Sequence, residues 1–84
     1  LQETYMTHYS MLFGTYFAAL RKEKGLSQTD IQKRSGITKS ALSKIERGTQ
    51  VVKLEEFIYL AAAVQQDPAD LMKDFGIYHS SRSV

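Results

Sequence analysis

Between Lys39 and Arg47 the chain reads KSALSKIER, and its side chains divide by chemistry according to position. On a helix turning about 100° per residue, with Lys39 at zero, Ser43 falls near 40°, Arg47 near 80°, Ser40 near 100° and Lys44 near 140°. Ala41, Ile45 and Leu42 fall on the other side, at roughly 200°, 240° and 300°. Three cations and two small hydroxyls therefore share one arc without a long acidic side chain among them. Glu46 stands at its edge. A solvated helix usually interleaves Glu with Lys at i,i+4 spacing. An arc of Lys, Arg and Ser is suited instead to an anionic partner, because the cations neutralise charge while the hydroxyls donate or accept hydrogen bonds.

Positioning such an arc requires a short, firmly stopped helix, and helix punctuation surrounds it. Ser27 is a fitting N-cap for a preceding helix that ends at about Ser35, with Asp30 three residues on as a shortened capping box and Gly36 as the stop. Thr38 caps the next helix, which runs from Lys39 to about Arg47 and closes at Gly48. Upstream, Ser10 to Lys24 reads as a first helix ended by Gly25, with Phe13, Phe17 and Leu20 on one buried face. Downstream, about Lys53 to Gln65 reads as a fourth helix with Leu54, Phe57, Ile58, Ala61 and Val64 inward. Asp67-Pro68 opens a fifth, where Pro at the first helical position loses no hydrogen bond. Leu71, Met72 and Phe75 form its apolar face and Gly76 ends it. No sustained period-two alternation or hairpin dipeptide appears. The expectation is a compact all-α domain of five helices over residues 10–76, with a leader or helix extension before it and a C-terminal tail at 77–84.

Eighty-four residues suffice for one small domain. With no cysteine, disulfides and thiolate metal sites are excluded, and His8 and His79 are too isolated to form a metal site. The longest apolar run, Leu60 to Val64, is far below the ~20 residues that span a bilayer. A cytoplasmic domain with no membrane association is expected, nucleoid-associated if its anionic partner is DNA. The net charge of +2 conceals an asymmetry. Residues 1–20 carry −1; residues 21–53 carry nine basic against three acidic residues, or +6; residues 54–84 carry −3. A basic middle beside an acidic end orients a protein on a polyanion.

The stretch SQTDIQKRSGITKSALSKIERG resembles the helix-turn-helix of the lambda-repressor-like (Cro/XRE) family, and the likeness extends over about residues 13–72. The GLSQ lead-in, the G-I-T turn and the S-x-I-E-R-G ending carry it. The resemblance implies double-stranded DNA as partner, with Lys39, Ser40 and Lys44 reading base edges in the major groove. Lys can donate to guanine O6 and N7, and Ser can donate or accept. Ala41 is assigned to packing ahead of a thymine-methyl contact. Gln28 matches a position that holds backbone phosphate, where free N–H groups and the positive helix end favour an anion. Thr38 is first an N-cap and second a phosphate donor; Ser43, Arg47 and Lys53 lie where flanking phosphates should pass. For Arg21 and Glu46 the resemblance implies a structural ion pair. Lys22, Lys24, Lys33 and Arg34 are left as general electrostatics or solubility.

The chain departs from the family pattern in three places. Gln32 stands where a small residue lets the two helices pack closely, so its side chain must bend outward or open the crossing. Ser35 replaces a small apolar residue. TQVVKLEE replaces the usual Pro then Ser or Thr, which leaves the fourth helix without a good cap.

Tyr5, Tyr9, Phe13 and Phe17 recur every four residues, drifting about 40° per step. Tyr5 then lies about 120° from Phe17 and cannot share its core. The stripe is either a free leader or an extension of the first helix whose Tyr residues meet another chain. We take the second, with Tyr5, Tyr9, Phe75, Ile77 and Tyr78 as dimer contacts.

The functional expectation is a sequence-specific DNA-binding regulator, a repressor, acting as a homodimer on an inverted-repeat operator. The rival is a module that mainly holds another protein, such as an antitoxin or the DNA-binding end of a larger regulator. No nucleophile–base arrangement, phosphate-cradling glycine loop or carboxylate cluster appears, so no enzyme and no cofactor are expected.

Overall fold

The computed structural model describes the backbone of residues 2–82 and the side chains of residues 8–78 and 80. Five helices follow one another: α1 Gln2–Glu23, α2 Gln28–Ser35, α3 Lys39–Glu46, α4 Leu54–Ala63 and α5 Pro68–Arg82. Phe17, Ile31, Leu42, Ile45, Leu60, Val64 and Leu71 lose all contact with solvent at their centre, so every helix contributes to one core. An aromatic cluster joins α1 to α4 and α5. Phe13 stacks on Phe17 at 5.9 Å and meets Phe57 at 5.7 Å and Phe75 edge-on at 5.4 Å, spacings within the favourable range for ring pairs.

Local signals set most helix ends. The Ser27 hydroxyl accepts from the Asp30 N–H at 3.0 Å, and the Asp30 carboxylate accepts from the Ser27 N–H at 2.8 Å. Thr38 Oγ1 accepts from the Ala41 N–H at 3.1 Å. At the start of α4, Lys53 supplies no acceptor of its own, so Glu56 provides the cap by reaching back to the Lys53 N–H at 2.9 Å.

α1 begins at Gln2, so the stretch before Ser10 is an extension of the first helix, one of the two forms the sequence left open. Two expectations fail for non-local reasons. α5 continues through Gly76 to Arg82, where the sequence had placed a stop. An inward contact holds this continuation, as Tyr78 packs on Tyr16 at 5.3 Å; one turn earlier the Tyr16 hydroxyl donates to Asp74 Oδ2 at 2.5 Å. Burial, reinforced by that carboxylate, raises the Tyr16 phenol above its ordinary range. The apolar faces of α4 and α5 are also narrower than expected. Leu54 is 76% exposed, Ile58 43% and Met72 53%, while Leu60 and Ala63 take buried places instead.

Candidate nucleic-acid interface

α3 projects its basic arc from a base held at both ends. Leu42 and Ile45 are fully buried and Ala41 is half-buried, so one side of the helix is committed to the core. Lys39, Ser40, Lys44 and Arg47 are exposed and Ser43 is half-buried. Arg47 Nη1 donates to Ser43 Oγ at 3.1 Å, which lays that guanidinium along the helix. Thr38 and Lys53 are exposed at the start of α3 and of α4 respectively.

The carboxylate at the edge of the arc is withdrawn from it. Arg21 Nε and Nη2 donate to Glu46 Oε2 and Oε1 at 2.8 and 3.0 Å, a two-pronged pair whose side chains are only 10% and 8% exposed. Arg21 Nη1 also donates to the Leu26 carbonyl at 2.8 Å, so one guanidinium joins α1, the α1–α2 loop and α3. The hydrogen-bonded Glu46 carboxylate raises the Arg21 guanidinium beyond its already high ordinary value, against a smaller opposing effect of burial. With Glu46 engaged, the exposed arc of α3 carries cations and hydroxyls without a free anion.

Gln28 stands between two roles. Its Nε2 donates to Glu46 Oε1 at 3.1 Å, which adds it to the ion pair and fixes its amide. It is half-buried at the start of α2, where the resemblance implies a phosphate contact.

Several residues hold the interface in ways the sequence reading did not anticipate. Gly14 lies against the end of α3, where an added Cβ would sit 2.3 Å from the Ile45 carbonyl oxygen and 2.7 Å from that of Glu46. Only a glycine lets the two backbones approach so closely. Its one legible signal was a glycine inside an otherwise helical pattern. Arg34, expected to serve general electrostatics or solubility, donates to the Ala63 carbonyl at 3.0 Å and so ties α2 to the open end of α4. The dimer residues are divided. Tyr9 and Ile77 are exposed, whereas Phe75 and Tyr78 are half-buried against the core. Tyr5 lies outside the residues whose side chains are described.

Among the described residues no three His, Asp or Glu side chains gather where they could hold a metal ion. None of the described helices is long and apolar enough to cross a membrane.

The comparisons agree with this geometry. A family model described as a helix-turn-helix domain matches residues 12–72. The chain belongs to that family, and its five-helix form is the lambda-repressor-like, Cro/XRE-type fold, the DNA-binding domain of transcriptional regulators. It is 38% identical over 61 residues to an uncharacterized HTH-type transcriptional regulator, y4dJ, of Sinorhizobium fredii, covering 73% of this chain and 79% of that one. Its structure is similar to that of the restriction-modification controller protein C.AhdI from Aeromonas hydrophila. That match has a TM-score of 0.72 and 34% identity, covering 76% of this chain and 97% of the other.

Proposed function

We propose that the chain reads a specific double-stranded DNA operator by laying α3 in the major groove, as a homodimer on an inverted repeat. The observation that carries this reading is the exposed arc of Lys39, Ser40, Lys44 and Arg47, left without a competing anion because Glu46 is held by Arg21. Lys39, Ser40 and Lys44 contact base edges. Arg47, Ser43, Thr38, Lys53 and the remaining amide N–H of Gln28 contact phosphates on either side. Half-sites lie about one helical turn apart, roughly 10 bp between centres. Occupying DNA in this way excludes other proteins from it, so repression is the direct consequence where an operator overlaps a promoter. A second copy has an apolar surface to meet: Tyr9, Val51, Leu54 and Met72 are exposed around a groove floored by Phe13, Phe57 and Phe75.

Selection from random duplexes at two salt concentrations tests the reading. A two-fold symmetric motif is expected, with affinity falling steeply as salt rises because counterions leave the phosphates. Lys44→Ala should weaken binding to the selected duplex about tenfold and relax the preference at its base. Unchanged affinity and preference in that variant would refute the base-reading role. A monomer that co-purifies with another protein in fixed ratio would favour the rival reading, in which the fold mainly holds a protein partner.

A further inference from the structure

The turn between α2 and α3 is braced by side chains of α2. The Gly36 N–H donates to the Gln32 carbonyl at 2.8 Å, and the left-handed conformation of Gly36, at φ 78°, then turns the chain out of the helix. Ser35 Oγ donates to the Ile31 carbonyl at 2.7 Å and accepts from the Ile37 N–H at 3.0 Å. Gln32 Oε1 then crosses the whole turn to accept from the Lys39 N–H at 2.7 Å. With Thr38 capping the Ala41 N–H, α3 has a cap of its own and a second one supplied by the preceding helix.

That second cap changes what the start of α3 can do. Helix N-termini carry free N–H groups that attract phosphates. At α3 the first of them is already satisfied by Gln32, and the side chain that satisfies it belongs to a different helix. A cap from the same helix stabilises its end without defining its direction. One from the neighbouring helix also fixes the angle between the two, and hence where Lys39 and Ser40 point. Gln32 was the residue with no evident place in a close-packed helix pair; its length is what lets it reach Lys39.

We propose that Gln32 is a positioning residue which pins the first turn of α3 to α2 and thereby sets base selectivity at the contacts made by Lys39 and Ser40. The inference rests on the DNA-reading function, and its test separates the two. The comparison uses the full chain as wild type, Gln32→Ala and Gln32→Glu. Alanine removes the acceptor while keeping helix propensity, and glutamate keeps an acceptor of nearly the same reach.

Hydrogen exchange of the Lys39 amide, measured by NMR without DNA, reads the brace alone. Exchange should quicken on the order of fivefold in Gln32→Ala, as expected for losing one neutral hydrogen bond, and return toward wild type in Gln32→Glu. The ratio of dissociation constants for the wild-type-selected duplex and for one changed at the bases facing Lys39 reads selectivity. Because both are measured at one salt concentration, the glutamate charge weakens both and cancels in the ratio. The ratio should fall on the order of fivefold in Gln32→Ala and be restored in Gln32→Glu. A Lys39 amide indifferent to both substitutions would overturn the brace. A brace lost without change in the ratio would overturn the positioning role. If wild type prefers no duplex, the DNA-reading function fails and the selectivity role with it, while the exchange rates still decide whether the brace exists.

Discussion

At its C-terminal end α3 is held by parts that cannot adjust. The Ile45 and Glu46 carbonyls lie against the bare backbone of Gly14, and the partly buried Glu46 side chain is gripped by Arg21. At its N-terminal end the same helix is held by hydrogen bonds that its N–H groups donate to Thr38 and Gln32, both of which are exposed. Each such bond is worth only about 0.5–1.5 kcal/mol net, since water offers alternatives. Close backbone contact offers none, because displacing either partner moves a whole helix. The C-terminal end therefore anchors α3 to the fold. The N-terminal end, which under the proposed reading meets the DNA bases, is aimed by side chains that can be exchanged without dismantling the core.

Substitutions at the two ends should differ in size and kind. Gly14→Ala should be the most damaging, because the new Cβ can be accommodated only by parting α1 from α3; a loss of about 3 kcal/mol is expected in denaturant unfolding. A loss under about 0.5 kcal/mol would show that the C-terminal anchor yields, and the contrast would collapse. Arg21→Met preserves the bulk of the side-chain stem but leaves Glu46, among the described residues, with Gln28 as its remaining side-chain donor. Stability should fall by about 2 kcal/mol, below the range for a pair in a deep interior because this pair sits near the surface. At the other end Thr38→Ala should cost about 1 kcal/mol, the usual worth of an N-cap, with no change in the denaturant dependence.

The smallest expected effect concerns Asp30, which holds the start of α2. Hydrogen bonds from the Ser27 backbone and hydroxyl stabilise its carboxylate and lower its pKa below the ordinary value. A group lowered in the folded state adds stability above its unfolded pKa, about 4, and loses that contribution as pH falls through the folded value. The melting-temperature advantage of wild type over Asp30→Asn should therefore be present at neutral pH and fade on acidification. An advantage that persists unchanged in acid would mean that the charge on Asp30 is not what holds that cap.

Much of the frame around α3 was readable because its signals are local. Ser27 with Asp30, Gly36, Thr38 and Pro68 each act within one helical turn, so residue type and spacing are enough. The Arg21–Glu46 pair was legible through family resemblance alone, since nothing in a separation of 25 residues joins two charges. Arg34 illustrates the limit. As a base in a basic segment it looked like solvated charge, and only the arrival of the α4 C-terminus beside α2 gives it a carbonyl to cap. Leu54, Ile58 and Met72 illustrate it from the other side. Their spacing matched a buried stripe, yet they are left outside, because α4 turns Leu60 and Ala63 inward and α5 turns Leu71 inward.

By itself the sequence determined that the chain forms short capped helices and that one of them gathers cations and hydroxyls on a single arc. It also marked Gln32 as out of place, without saying where its side chain goes. Tertiary structure alone decided that Gly14 admits α3 at backbone distance and that Gln32 reaches the Lys39 N–H. It also carried α5 past Gly76, where α1 offers Tyr78 a surface. The physical reason is one of range. Caps and stops depend on groups a few bonds apart, whereas direction, close approach and burial depend on which helices come to share the same space.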